Sequence, residues 1–318
     1  MGIIDKINYG IYRFKYVNAL KLKLKSPVDV SIELASVCGS RCVYCYWNEP
    51  KNLPFKPGIM KKELAFKILN ECAEVGVHSF KSNFRGESTL NPHFEEITAH
   101  AKSLASGATL IDRITNSNFQ FLTKQENIFR GLCNQTKVKV SLDSFRKDIY
   151  EKQRFGSKYD LAIANVDKFY NYPGRDNVLV VQAVRTKLNE DEDLEHEIKS
   201  RWPSAVASIR NVVEGRNTKD ISSTILKKRD TSNRQACIQA SARLMIRWDG
   251  KTGACCPDYA GKIVIGDANT MHIKDIFNGQ EVLRLRKELN SKKAFENDPC
   301  KTCSSFESYS GYKAPWNS

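Results

Sequence analysis

Ten cysteines stand out in a chain of 318 residues, and eight of them fall into two groups. Cys38, Cys42 and Cys45 form a C-x3-C-x2-C pattern near the start; Cys237, Cys255, Cys256, Cys300 and Cys303 lie near the end. Only Cys72 and Cys133 fall outside these groups. The opening MGIIDKINYG has no apolar stretch of the kind that directs export, so the thiols are expected to stay reduced. Clustered reduced thiols point to metal or redox chemistry rather than to a disulfide framework. Three thiolates on one short loop can hold three irons of a 4Fe–4S cube and leave the fourth without a protein ligand. Structural zinc is the competing occupant, but it wants a fourth ligand, and none lies nearby in sequence. In the second group Cys237, Cys255, Cys300 and Cys303 supply four thiolates, a full set for either a closed cube or zinc. Cys256 is left over.

Such loops need a scaffold, and the apolar pattern describes one. VDVSIEL at 28–34 and KVKVSL at 137–142 alternate with period two, while VLVVQAV at 178–184 is almost wholly apolar, as in a strand covered on both faces. Weaker strands are read at 77–84, 110–115 and 205–213. Helical periodicity lies between them at 60–75, 93–105 and 159–170. Six strands with interleaved helices imply right-handed crossovers and a parallel sheet. The C-x3-C-x2-C loop follows the first strand directly, at the end of such a sheet where sites are built.

The texture changes near 214. A polar, charged stretch at 216–236 predicts a linker between a main domain at 28–215 and a cysteine-rich unit at 237–318. That unit shows short strands around LMIRWDGKTGACC and one long helix over IKDIFNGQEVLRLRKEL. It is too small and polar to hold together without its clustered cysteines. Residues 1–27 form a basic opening.

At these residues the chain resembles the radical SAM superfamily. The resemblance rests on Cys38-Gly-Ser-Arg-Cys42-Val-Tyr44-Cys45 after an apolar strand, then Arg85-Gly86-Glu87-Ser88 after the second strand. Thr115-Asn116-Ser117 follows the third strand and Ser141-Leu142-Asp143-Ser144 the fourth, with Arg154 beyond. It covers roughly 28–215 and implies an α/β fold, a partial (β/α)6 barrel with a small cysteine-rich α+β extension. It also implies that Cys38, Cys42 and Cys45 hold a cluster whose open iron binds S-adenosyl-L-methionine (SAM). By the same resemblance Glu87 and the Gly86 backbone receive the methionine amino group, and Arg154 pairs with its carboxylate. Asn116, Ser141 and Asp143 contact the ribose, and Tyr44 lies against the adenine. The chain departs from the family at Arg85 and Ser88, where Gly and Pro are commoner.

The second group, Cys237, Cys255, Cys300 and Cys303 with 17, 44 and 2 residues between them, resembles the shortened SPASM, or twitch, extension of these enzymes. Within them it is most like the cyclitol dehydrogenases of aminoglycoside biosynthesis. Its implied cofactor is one auxiliary 4Fe–4S cluster on Cys237, Cys255, Cys300 and Cys303. For Cys256 three readings stay open: a buried bystander, the ligand in place of Cys255, or a hydrogen donor to a substrate radical. The resemblance further implies reductive SAM cleavage to a 5′-deoxyadenosyl radical, fed by an electron donor such as flavodoxin or ferredoxin.

Fifty basic residues against 36 acidic ones give a net charge of +14. That favours an anionic substrate, such as a nucleotide or a modified nucleic-acid base (including hypermodified viral DNA), over a cationic one. Tyr9, Tyr12, Phe14 and Tyr16 in the opening, and Phe306, Tyr309, Tyr312 and Trp316 in the tail, are candidates for base stacking. Asn83, Arg85 and Arg210 stand at strand ends near the mouth of such a barrel. Isomerisation or rearrangement of the anionic substrate is the leading expectation. Dehydrogenation or epimerisation of a sugar or cyclitol alcohol is the alternative, with peptide maturation third. A metal-stabilised nucleic-acid-binding protein is the non-enzymatic one. No run is long and apolar enough to span a membrane, and a cytoplasmic location is expected.

Overall fold

The computed structural model describes residues 3–48, 51, 53–211, 237–291, 293–296, 298–301 and 303. The expected linker at 216–236 and the tail aromatics Phe306, Tyr309, Tyr312 and Trp316 lie outside the described residues. Two helices open the chain, α1 (Ile3–Val17) and α2 (Ala19–Leu22), followed by β1 (Asp29–Ile32) and β2 (Arg41–Cys42). Next come α3 (Lys62–Glu74), β3 (Ser79–Lys81), α4 (Phe94–Ser103), β4 (Asp112–Ser117), α5 (Gln125–Cys133) and β5 (Lys137–Ser141). They lead to α6 (Lys147–Gln153), β6 (Arg154–Phe155), α7 (Tyr159–Tyr170), β7 (Val178–Arg185), α8 (Leu194–Arg201) and β8 (Val206–Asn211). The extension contributes α9 (Gln239–Ala242), β9 (Arg243–Ile246), β10 (Lys251–Gly253), β11 (Gly266–Asp267), α10 (Ile273–Asn278) and α11 (Gln280–Asn290).

Strands β1, β3, β4, β5, β7 and β8 lie side by side in chain order, all parallel. Parallel neighbours need crossovers, and α3, α4, α5, α7 and α8 supply them. These are the six strands the alternation predicts. One face of the sheet packs on the helices: Val30, Ile32, Phe80, Val138, Val140, Leu179 and Val181 all belong to the main core. Helix α3 meets that face with Ala65, Ile68, Leu69 and Cys72, the spacing of a single helical stripe. Each such large apolar side chain contributes about 1.5–3 kcal/mol by leaving water.

The alternate residues point to the other, inner face. Register places Asp29 beside Ser79, Asn116 beside Lys139 and Ser141 beside Gln182. Residues in register share a face, so these polar and charged side chains gather on the inner face, away from the apolar residues that pack on the helices.

The cysteine-rich extension, read from sequence as a separate unit, continues the same sheet. Strand β9 runs parallel to β1, with Asp29 beside Arg243 and Ile32 beside Ile246; β10 and β11 then add antiparallel strands. The single helix expected over 273–289 is two, because the backbone at Gly279 is extended (ψ 164°) between α10 and α11.

The basic opening is an amphipathic helix. Tyr9, Tyr12 and Tyr16 of α1 are buried in a second cluster with Ala19, Val28 and Ala242, and the Tyr12 hydroxyl donates to Asp29 at 3.3 Å. This corrects the base-stacking expectation for these three rings, which close the start of β1 instead. Phe14 alone of the four is exposed.

Candidate active site

The loop after β1 is held from three sides. Its short strand β2 pairs with β6, setting Cys42 beside Arg154, and Val43 N–H donates to the Gln153 carbonyl at 2.9 Å. Ser40 and Ser157 share a hydroxyl–hydroxyl bond of 2.7 Å. Gly86 supplies the third contact, with a left-handed φ of +67°. A Cβ there would lie 2.4 Å from the Ser36 carbonyl carbon, and the Glu87 N–H donates to the Val37 carbonyl at 2.8 Å. Only glycine fits this approach.

Burial pushes the Cys38 thiol up to about 12 and the Cys42 thiol up to about 11, with the Glu87 carboxylate adding at Cys38 and neighbouring thiols adding at both. Bare thiolates are therefore costly here, whereas a bound metal centre deprotonates its thiols outright. That donor chemistry fits an iron–sulfur cluster held by Cys38, Cys42 and Cys45.

The polar residues singled out in sequence gather at the same strand ends. Glu87 caps the turn that follows it: its Oε1 accepts from Thr89 N–H and Oγ1 (3.3 and 2.8 Å), its Oε2 from Asn118 N–H at 2.7 Å. Burial pushes its pKa up, against those hydrogen bonds. Asn116 Oδ1 accepts from Ser141 Oγ at 3.0 Å, and its N–H donates to Asn83 Oδ1 at 3.2 Å. Arg154, Tyr44 and Asp143 form one group. Arg154 Nε lies 2.8 Å from Asp143 Oδ2, and the Tyr44 hydroxyl donates to the same carboxylate. Arg154 Nη1 also reaches Cys42 Sγ at 3.5 Å. Protein groups thus engage both Arg154 and Tyr44, which the resemblance gave to SAM's carboxylate and adenine.

Sequence reasoning missed Asn118. Its Nδ2 donates to Ser40 Oγ at 2.9 Å and reaches Cys38 Sγ at 3.8 Å, linking Glu87 to the cysteine loop. Its place two residues beyond Asn116, at a strand end, was the available signal. Asn189, another omission, donates to the Asp143 carbonyl at 2.6 Å.

In the extension, Cys237 feels Cys303, Cys300 and Cys256, and Cys255 feels Cys256 and Cys237. Burial pushes the Cys237 thiol up to about 12 and Cys255 upward as well. Cys237 thus lies within electrostatic reach of the other four, and Cys256 Sγ also lies 3.9 Å from Arg243 Nη1. Among the described residues no three His, Cys, Asp or Glu side chains are gathered tightly enough to hold a single metal ion.

Residues 237–304 match the SPASM family, an iron–sulfur cluster-binding domain. No curated protein matches the chain in sequence. Among solved structures, BtrN in complex with AdoMet and 2-DOIA is similar at 16% identity and a TM-score of 0.58, over 87% of this chain and 92% of BtrN. SuiB of Streptococcus suis bound to S-adenosylmethionine is similar at 15% identity and a TM-score of 0.64, over 92% of this chain and 75% of that one. Native anSMEcpe with bound AdoMet gives 15% identity and a TM-score of 0.61, over 90% and 88% of the two chains. All three structures carry bound S-adenosylmethionine. The chain shares the fold of these three structures, and the SPASM match is confined to its C-terminal part. No helix among the described residues is long and apolar enough to cross a membrane.

Proposed function

We propose that the chain is a radical SAM enzyme acting on an anionic substrate. One observation carries it: the β2–β6 pairing holds Cys42 against Arg154, while Gly86 and Glu87 clasp the other side of the same cysteine loop. Bound SAM and a reduced cluster on Cys38, Cys42 and Cys45 would supply a 5′-deoxyadenosyl radical that takes a hydrogen from substrate. The protein's part is orientation and exclusion of water. Asn116 and Ser141 would offer an amide and a hydroxyl to the ribose, the Glu87 carboxylate would receive the amine, and Gly86 would let the backbone approach. Cys237, Cys255, Cys300 and Cys303 would hold the auxiliary cluster, with Cys256 beside it.

Isomerisation of a nucleotide-sized anion is the leading reading, since it draws on the +14 charge. Oxidation or epimerisation of a sugar or cyclitol alcohol is the second, favoured by the likeness to BtrN, whose structure carries 2-DOIA. Anaerobic deoxyadenosine release from reconstituted protein, SAM and reductant tests both. Stimulation by a nucleotide or nucleic-acid fraction, with deuterium transfer from labelled bases, supports the first. Stimulation only by the neutral and cationic small-molecule pool supports the second, and no release from any mixture overturns the enzyme reading.

A further inference from the structure

The inner face of the sheet carries more cations than its own carboxylates match. Lys81 and Arg243 both engage Asp29, the second with Nε 2.8 Å from Oδ1. Lys137 Nζ stands 3.6 Å from Asp112 Oδ1, and Glu33 is taken up by Arg85. Lys139 is half-buried on the same face and has no hydrogen bond or ion pair among the described residues. Arg210 lies two strands across on β8, on the same inner face but in register with Val184, four residues beyond the Val180 that stands level with Lys139, and is exposed.

Besides burial, Arg210, Lys81 and Lys137 press on the Lys139 ammonium, and Asp112 opposes them. With burial, they hold its pKa down at about 8 instead of 10.5. Deprotonating Lys139 would relieve one member of this group. An anion placed among them would relieve all, and would gain charge-assisted hydrogen bonds.

Place adds a second argument. Lys139 is in register with Asn116, and Ser141 lies two residues further along the same strand, roughly 7 Å away at strand rise. An anion at Lys139 would therefore sit just beneath the Asn116–Ser141 pair, on the side of the barrel interior.

We propose that Lys139, with Arg210 across the sheet, binds an oxyanion of the substrate, a phosphate or a carboxylate, on the inner face beneath Asn116 and Ser141. The assignment rests on the radical SAM reading and narrows its substrate. Calorimetric titration of anaerobically reconstituted protein with inorganic phosphate, and separately with acetate, tests it. One of the two should bind saturably, about tenfold more weakly in Lys139→Gln, with recovery in Lys139→Arg. Lys102→Gln, on the exposed side of α4, should bind as wild type does. Phosphate preference assigns a phosphorylated substrate, acetate preference a carboxylate. No saturable binding of either, or equal binding in wild type and Lys139→Gln, overturns the site. Deoxyadenosine release by the wild type is scored separately. Its absence alongside Lys139-dependent anion binding would remove the parent reading and leave the site standing; its presence without such binding would do the reverse.

Discussion

Arg85 and Glu33 form a bidentate, fully buried ion pair, with Nε 2.6 Å from Oε1 and Nη2 2.7 Å from Oε2. The pair joins the motif turn after β3 to the end of β1. It also reaches the extension: Arg85 Nη1 donates to the Tyr259 carbonyl at 3.0 Å, and Trp248 N–H donates to Glu33 Oε2 at 3.2 Å. The Phe55 ring covers the guanidinium at 3.8 Å. Arg85 thus braces the barrel against the cysteine-rich extension, a structural task that glycine at this position could not perform. Arg85→Ala leaves the Glu33 carboxylate buried and unpaired, at a cost of about 3–5 kcal/mol. Thermal unfolding should show that loss, and Glu33→Gln combined with Arg85→Met should recover part of it. A single variant as stable as wild type would dismiss the brace.

The two cysteine groups should load independently. Reconstituted wild type should hold about eight irons per chain with matching sulfide, and Cys42→Ala or Cys303→Ala about four each. Only the Cys42 variant should lose deoxyadenosine production while the other cluster remains visible by electron paramagnetic resonance. Zinc without sulfide in the wild type would refute both cluster assignments.

Gly86→Ala asks a left-handed alanine to overlap the backbone at Ser36. The expected destabilisation is about 2 kcal/mol or more. Because that backbone leads into Cys38, iron uptake at the first cluster should fall with it. Cluster content is the decisive measurement; full loading would show that the turn can shift without consequence.

Lys139 gives a pH signature. Its pKa is about 8 in the folded protein against an ordinary 10.5, so the folded state binds its proton less readily than the unfolded state does. The resulting penalty is fully present below about pH 8 and fades as pH rises to 10.5. Lys139→Met should therefore melt higher than wild type at pH 7, with the gap closing across that window. A gap independent of pH would mean that the lysine is solvated in the folded state.

Cys255 and Cys256 can be separated by iron content alone. Cys255→Ala should lose the auxiliary irons and Cys256→Ala should keep them. The opposite result would exchange their roles.

Period-two alternation made β1 and β5 legible, because one face of each is apolar and the other polar, while β7 was legible as an almost wholly apolar run. The register-matched residues at 29, 79, 116, 139 and 141 belong to that polar face. The short strands β9 and β10 were legible as strands but not as neighbours of β1, since pairing between the two ends of a chain leaves no local mark, and the two-residue β11 was not legible at all. Burial of Tyr9, Tyr12 and Tyr16 was hidden for a similar reason. A tyrosine stripe beside lysines looks the same whether it faces a sheet or a nucleic acid. The spacing of Cys38, Cys42 and Cys45 located the candidate site, but the partners of Arg154 and Glu87 depend on turns that no spacing encodes. Asp143 and Asn118 meet them only after folding.

Pairing of β1 with β9 has a consequence for biosynthesis. Asp29 and Arg243 are 214 positions apart, so during synthesis the first barrel strand emerges long before its partner on that side exists. Until then one edge of β1 offers unpaired amides and carbonyls, a template for association with other chains. Truncation before β9 should therefore yield aggregates rather than a smaller soluble barrel, and ribosome stalling within the intervening stretch should be more harmful than stalling beyond 246.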